Sequence, residues 1–590
     1  MTHTPDRSLT RRGLLARAGA VSAVALSAPA VLAACSGGSS GGTDADVVGD
    51  ADYKQGSASL KVEMSPEIDG VNYPEGYKGP KARTLEPFAD GSTEFTMLTR
   101  TIPGLDYSTN YYAQYLEEVT GAKVKYEPVP LGDDGQTKVN AILSAGDLPH
   151  ALMTGMGLFS VSQISVYGQQ GLFLPVDKLI DEHAPHIRDM FDTFPDMRSL
   201  FTSPDGRMYA VPAMNDCFHC KSEPVRTWYN HNWLDAVGAS VPETLEDFDA
   251  LLEEWKTWSD LPKNAALVLS DSDSMMRLFN FFQGSFLPNT TTYTALIDGK
   301  VTWLPTQDAY REGMIWIQEQ FAKGNFHQGI LSLTNDQLKQ YGDDPNGPRF
   351  GITTGGSQGT FTANTNMADE TSAAVIMKPL PPMAGPNGVR TSDWLWYQIG
   401  SPNFVITNSC PDPVTMIRWA DYQYELATTV SMGRGERGTG WDWADTDQQG
   451  IDGKAAVYQV IPENAELENQ VWWEWGPSYK SMDQRHGEAV LEGGSSIEPS
   501  LYEAGKAYEP YQVPKEQCIP TLAYDMDQSA EIGELRTNLE QYLQQSYANL
   551  ATGKVDFTKD ADWKAYTEKF DSIGLARALE IEQAAYDQQY

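Results

Sequence analysis

Between Thr93 and Val211 short apolar strands alternate with amphipathic helices, and that alternation confines the fold more tightly than any other feature of the chain. Glu94–Thr99 reads as a strand, and Ser108 can cap a helix from Thr109 to Val119 that Gly121 stops. Lys123–Pro128 alternates as a second strand, Thr137–Ser144 is helical, and Ala151–Met153 is a short buried strand. A helical stretch opens at Phe173–Ile180, and Asp205-Gly206 turns into a strand over Arg207–Val211. Strands joined by helices require a mainly parallel sheet with helices on both faces. The pattern restarts near Val225 with a strand over Val225–Tyr229 and a Thr244/Asp247 capping box before helix Leu245–Trp258. Helix Asp308–Phe321 follows, then strands Arg349–Thr353 and Ala373–Met377, then a helix from Asp412-Pro413 through Tyr424. Ser529–Tyr590 is mainly long helices. At 590 residues the chain exceeds one ordinary core, so two or more lobes are expected.

The first 35 residues say where the chain works. Thr10-Arg11-Arg12-Gly13-Leu14-Leu15 has the form of a twin-arginine export signal. The apolar run Ala18–Ala34 ends in Leu32-Ala33-Ala34-Cys35, which matches a lipobox. Residues 1–34 are therefore expected to be a signal peptide, with Cys35 lipid-modified as the first residue of the mature chain. No later stretch approaches 18 apolar residues, so the anchor is expected to be acyl rather than transmembrane. Ser36–Thr43 is a Gly/Ser tether, and residues 44–92 read as an extended lead-in mostly outside the core.

Formal net charge is −37; without residues 1–34, which hold four Arg and one Asp, the body carries 39 basic and 79 acidic residues, a net −40. Such a body is not expected to bind nucleic acid, whose affinity comes from clustered Lys and Arg. Five Cys are present. With Cys35 given to lipid, pairs Cys217–Cys220 and Cys410–Cys518 are the preferred disulfides of three possible pairings, which spacing alone cannot decide. Twin-arginine substrates generally cross the membrane folded, so such bridges would form late or not be needed for folding.

Several phrases then fall in order: Ser144-Ala145-Gly146-Asp147-Leu148-Pro149, Leu174-Pro175-Val176-Asp177-Lys178-Leu179-Ile180, Asp205-Gly206-Arg207-Met208-Tyr209-Ala210-Val211-Pro212, Trp228-Tyr229-Asn230-His231-Asn232-Trp233-Leu234-Asp235 and Pro242-Glu243-Thr244-Leu245-Glu246-Asp247-Phe248. Together with the leader, this order resembles the family 1 extracellular solute-binding proteins, the maltose-binding-protein-like lipoproteins that capture sugars for ABC importers. The resemblance implies a two-lobed α/β fold of the type II periplasmic-binding-protein kind, each lobe a mainly parallel sheet flanked by helices. It implies a hinge of two or three crossings. The lobes are expected at 93–212 with 349–426, and at 213–348 with 427–590, the latter carrying the helical tail. The implied partners are a carbohydrate, ABC permease subunits and, through the lipid, the outer face of the cytoplasmic membrane; the chain is expected to be a monomer. Longer members carry a calcium loop after the helix corresponding to Leu245–Trp258. Here Ser259-Asp260-Leu261-Pro262-Lys263-Asn264 lacks the run of oxygen ligands, so no metal is expected there.

Sugars present flat C–H faces and rims of hydroxyls, which aromatic rings and planar polar groups match. Fifteen Trp and 28 Tyr supply many such rings. Three Trp clusters stand out: Trp394 with Trp396, Trp441 with Trp443, and Trp473 with Trp475. Trp441 and Trp473, then Trp396, are the favoured ligand platforms. Arg100 and Tyr107 follow the first strand at its carboxyl end, where α/β folds bind ligands. Asn215 and Asp216 sit at the expected hinge, where Asp216 can accept sugar hydroxyls. Ordinary packing, a surface ion pair and a turn-forming Asp are the plainer roles for the Trp, Arg100 and Asp216. Cys217-Phe218-His219-Cys220 reads best as a small disulfide loop, because a zinc centre needs two more ligands and none is near in sequence. His183-Ala184-Pro185-His186 reads as a helix boundary. No His-Glu-x-x-His or Walker loop occurs, and no catalytic residues, metal or cofactor are expected. The rival classes are an exported glycoside hydrolase, which needs two positioned carboxylates, and an adhesion or scaffold lipoprotein.

Overall fold

The computed structural model describes residues 61–130, 133–153, 159–217, 219, 226–288, 290–397, 399–461, 467, 469–472, 475–494 and 496–590. The expected signal peptide, lipobox Cys35 and Gly/Ser tether lie outside the described residues, as do Cys220 and Trp473. Among the described residues, no helix is long and apolar enough to cross a membrane.

Two sheets organise the chain. The six-stranded sheet holds β1 (Glu94–Arg100), β2 (Lys123–Val129), β3 (Ala151–Met153), β4 (Val211–Asn215), β11 (Gly400–Ile406) and β14 (Tyr479–Lys480), in the order β14-β4-β11-β3-β1-β2. The four-stranded sheet holds β5 (Arg226–Asn230), β6 (Ala266–Val268), β9 (Phe350–Gly355) and β10 (Met377–Pro379), in the order β10-β5-β9-β6. Two hairpins, β7 (Thr294–Ile297) with β8 (Lys300–Trp303) and β12 (Trp441–Trp443) with β13 (Tyr458–Val460), stand apart. In each large sheet a single strand opposes the rest. β11 runs antiparallel to both its neighbours, β3 and β4, and β5 runs antiparallel to β9 and β10. Each opposing strand is the first that the chain lays down after arriving from the other sheet.

Among the described residues the chain crosses between the lobes three times: from β4 to β5, from β10 to β11, and from β14 to helix Glu498–Tyr508. That last helix belongs with the four-stranded sheet, because the Tyr508 hydroxyl accepts from the Thr227 amide (3.0 Å) and donates to the Leu380 carbonyl (2.6 Å). The first crossing follows β4, which runs from Val211 to Asn215, past the exit expected after Pro212. The other two come later than expected. Phe350–Gly355, expected to re-enter the first lobe, pairs with β5 and β6 in the second sheet. Helix Leu426–Arg434, expected to leave the first lobe, packs through Leu426 and Val430 on Ala82, Trp441, Val457 and Tyr458. Strand propensity marks a strand but not its partners, which are chosen by pairing across the sheet.

Local signals fare better. Helix Leu245–Thr257 starts at the expected capping box, and Leu245, Phe248, Leu251, Leu252 and Trp255 form its buried face. Burying each such side chain contributes about 1.5–3 kcal/mol. Helix Pro413–Asp421 opens with Pro after the Asp412 cap. The tail forms helices Met526–Ala551, Asp560–Ile573 and Leu575–Gln589, and Tyr547 of the first stacks on Phe279 at 4.6 Å in the second lobe's core. Other signals shift. Asn110 rather than Ser108 caps helix Tyr111–Thr120. Ala373–Ile376 is one helical turn held by Ser372, followed by β10, where a strand is expected. A short apolar run does not separate a buried strand from a buried turn of helix.

Two further expectations are corrected. Residues 61–92 are extended, but they pack on the first lobe rather than lie outside it. Ala82 is fully buried, Tyr73 and Tyr77 join it against Leu426 and Trp441, and Arg188 reaches the Val62 carbonyl at 2.6 Å. Cys410 and Cys518 are both free thiols. Cys410 lies beyond β11 beside Thr407, whereas Cys518 approaches the Trp394 carbonyl on the second crossing at 3.9 Å. Burial pushes each thiol up to about 12. Cys217 belongs to the other expected pair, whose partner Cys220 is not described.

Gly121 shows how closely the lead-in is seated. It caps helix Tyr111–Thr120 at φ +71°, and a Cβ there would meet the Ala89 carbonyl oxygen at 2.1 Å. Gly121→Ala is expected to destabilise the chain by about 2 kcal/mol or more, combining the left-handed conformation with the clash. A urea titration of the full chain followed by tryptophan fluorescence measures it; an unchanged midpoint would contradict this packing.

Candidate ligand-binding cleft

The three crossings bring polar side chains from distant segments to one junction. On the first, the Asn215 side chain is buried and accepts from the Cys217 amide at 3.1 Å. Asp216 accepts from the Met482 amide at 2.5 Å, which ties the first crossing to the third. On the third, Arg485 bonds Glu498 at 2.6 Å. His219 reaches the other oxygen of Glu498 at 3.1 Å. Beside them Arg434 bonds Glu488 at 2.7 Å, and Glu488 also accepts from the Tyr458 hydroxyl (3.2 Å) and the Ser496 hydroxyl (3.0 Å).

Glu488 is buried and Arg434, Arg485 and Glu498 are half-buried, and all four are paired, as partial removal from water requires. Burial works against the Glu498 charge, but Arg485, His219 and Arg434 outweigh it and hold the carboxyl below its usual range. Glu488 raises the Arg434 guanidinium above its ordinary value. Burial and the neighbouring His219 push His486 down to about 4.

A cavity of about 560 Å3 opens over this network. Thr365 and Met367 wall it from the four-stranded side; Arg434, Val460, Leu467 and Glu488 wall it from the six-stranded side. A smaller hollow of about 190 Å3 shares Arg434 and Glu498 with it. The larger hollow of about 660 Å3 between Met275 and helix Met526–Ala551 has all its walls in the second lobe. The cavity between the lobes can be touched by a ligand from both sides, which is the condition for a ligand to favour closure. Its walls mix apolar side chains with fixed charges and hydroxyls, a surface suited to a polar solute with apolar faces.

The residues favoured from sequence fall into separate places. Trp441 is fully buried in β12, and its Nε1 donates to the Ser431 hydroxyl and the Gly435 carbonyl, both at 3.1 Å. Its face is committed to packing, with Trp443 at 4.9 Å and Tyr458 at 6.3 Å. The Gly-rich stretch around it is a hairpin sealed by its own indole, not an open loop. Trp443 is half-buried near Arg437. Trp394 is buried, and half-buried Trp396 donates to the Val513 carbonyl at 2.8 Å. A turn that bonds the Trp396 amide to the Trp394 carbonyl replaces the expected extended backbone, and the rings are tilted by 50°. Arg100, Tyr107 and Trp475 do come together: the Arg100 guanidinium lies 3.4 Å over the Trp475 ring, and the Tyr107 hydroxyl donates to the Arg100 carbonyl at 3.0 Å. Trp473 lies outside the described residues. The expected helix boundary at 183–186 is present, with Pro185 opening a new helix and His186 bonded to Asp421 at 2.7 Å.

Arg434, Glu488, Glu498 and His486 are missing from the sequence-derived set. Each is one of many charged or polar side chains, and none has a local pattern; their roles come from meeting partners far along the chain. Trp441→Ala is expected to destabilise by about 3–5 kcal/mol, because it empties a packed site. Trp396→Phe is expected to lose about 1 kcal/mol, one hydrogen bond. Guanidinium denaturation of both variants measures the contrast, and equal midpoints would return Trp441 to the list of ligand platforms.

Known proteins resemble the chain along nearly its whole length. The fructooligosaccharide ABC transporter substrate-binding protein FusA of Streptococcus pneumoniae serotype 4 is 24% identical over 552 residues, covering 90% of this chain and 95% of that protein. The solved structure of a FusA EF-hand mutant with fructo-nystose superposes with a TM-score of 0.66 at 22% identity, covering 84% of this chain and 99% of that one. A human-milk-oligosaccharide (HMO) binding solute-binding protein from Bifidobacterium longum infantis superposes with a TM-score of 0.67 at 20% identity, covering 85% and 99%. The two-sheet, three-crossing architecture is thus the type II binding-protein fold. The family model for the bacterial extracellular solute-binding proteins matches residues 102–425, more than half of the chain, and the chain belongs to that family.

Proposed function

We propose that this protein captures an oligosaccharide in the cavity between its lobes and presents it to the permease subunits of an ABC importer. The observation that carries the reading is the cavity of about 560 Å3, walled by both lobes and lined by the paired charges Arg434, Glu488 and Glu498, the last held by Arg485. A cavity of that size exceeds one sugar ring and suits several. FusA, whose name records fructooligosaccharides, and the Bifidobacterium protein, whose description records milk oligosaccharides, make a saccharide the first ligand class to test.

In this reading Cys35 carries the lipid, and the body works as a monomer outside the cytoplasmic membrane. One lobe is built from residues 61–215 and 400–480, the other from 226–379 and 498–590. The protein performs no hydrolysis. A glycosidase needs one carboxylic acid that can give up a proton to the leaving oxygen. Of the two carboxylates at the cavity, Glu498 is held in its charged form by Arg485 and His219. Glu488 accepts from Arg434, Tyr458 and Ser496.

A thermal-shift and calorimetry screen of neutral oligosaccharides tests the reading. A true ligand at 100 times its Kd is expected to stabilise the fold by about 2.7 kcal/mol. Thr365→Trp, which fills the cavity from the second lobe, is expected to weaken binding at least tenfold and leave the unliganded melting temperature nearly unchanged. Released monosaccharide would identify an enzyme instead. Unaltered affinity in Thr365→Trp would move the site elsewhere.

A further inference from the structure

The junction beneath the cavity holds a group of donors that the solute-binding role does not require. Cys217 and His219 follow β4 on the first crossing, and His486 ends helix Met482–His486 on the third. All three are buried, at 0%, 0% and 6% exposure. One donor atom from each, a sulfur and two ring nitrogens, lies within 4.8 Å of the others. His219 Nδ1 stands 3.1 Å from Cys217 Sγ, while its Nε2 stands 3.1 Å from Glu498 Oε2. The rings of His219 and His486 are nearly parallel, 14° apart with centroids at 5.3 Å, and Tyr502 presents its edge to both.

We propose that Cys217, His219 and His486 form a binding site for a divalent transition-metal ion of the zinc class, with Glu498 as the carboxylate that orients His219. Thiolate with two imidazoles is the donor set such ions take, and hard oxygen-seeking ions do not. Bond lengths of about 2.0–2.1 Å to nitrogen and about 2.3 Å to sulfur at tetrahedral angles put ligand atoms roughly 3.3–3.7 Å apart. The donors stand between 3.1 Å and at most 4.8 Å apart, so side-chain rotation of about an ångström closes the site. Glu498 does what an outer carboxylate does at such centres. Accepting the proton of His219 Nε2 leaves the Nδ1 lone pair directed at the Cys217 sulfur. Arg485 in turn fixes Glu498. Binding converts the Cys217 thiol to a metal-bound thiolate and releases one proton per ion. Three protein ligands leave the fourth tetrahedral position to water.

The site would join the first and third crossings, in line with the Asp216–Met482 hydrogen bond. It would also lie one residue, Glu498, from the cavity. It goes beyond the transport reading and stands whether or not the cavity binds a sugar.

The test uses the full chain stripped of metal by a chelator, with Zn2+ titrated by calorimetry and Co2+ by absorption. One Zn2+ per chain is expected, bound at least 100-fold more tightly than by Cys217→Ser or His486→Gln. Glu498→Gln should bind 10–100-fold more weakly, the loss typical of an outer-shell partner. Co2+ should give a near-ultraviolet thiolate-to-metal band that Cys217→Ser lacks. The Co2+ spectrum of the unsubstituted chain decides the matter alone if a variant fails to fold. Zinc affinity within threefold in the folded variants would reduce the binding to the acidic surface and overturn the proposal. So would a Co2+ complex without the thiolate band, as expected if Cys217 were bonded to Cys220.

Discussion

Glu498 is the charge on which the junction of the molecule turns. It opens the helix that follows the third crossing, and it is gripped by Arg485 from the approach to that crossing and by His219 from the first. A carboxylate partly removed from water is favoured when its partners are in place, so three segments meet around this charge. Arg434 and Glu488 repeat the arrangement one step nearer the cavity. The cleft floor is therefore built from fixed, paired charges rather than mobile side chains, and a ligand meets a surface that is already organised.

The topology explains why these segments converge. Each large sheet contains one strand that opposes the others, β11 in one and β5 in the other. Each is laid down just after a crossing, so the connections gather on the side where the sheets face each other. Helix Glu498–Tyr508 anchors the third return through Tyr508, and the terminal helices seal the second lobe with Tyr547 bonded to Tyr310 and Gln283. Two separately packed cores joined by three crossings are the arrangement on which hinge closure around a ligand depends.

The aromatic residues divide by what surrounds them. Trp472 is buried in a nest with Tyr107, Tyr112, Tyr126 and Trp419, and Trp441 is sealed in its own hairpin. Both lie in segments that look like loops in sequence, because Gly-rich flanks are compatible with an open turn and with a tight hairpin over a large side chain. Arg100 and Trp475, chosen for unrelated reasons, meet as a cation–π pair. The same residue types thus supply packing in one place and a partly open face in another, and only their neighbours distinguish the two.

What the sequence determined by itself is what neighbouring residues decide together. The capping box at Thr244, the Asp412-Pro413 start, the terminal helices, the alternation of strand and helix and the family to which the order of motifs belongs are all set by spacings of a few residues. The tertiary structure alone decided which sheet received Phe350–Gly355, that Cys410 and Cys518 stay apart, and that residues 61–92 pack on the first lobe. It alone carried His486 to Cys217 and His219, and Arg434 to Glu488. The physical reason is that strand partners, ion pairs and metal-type clusters are contacts between groups far apart along the chain. Their energies depend on distance in space, which the local order of residues does not encode.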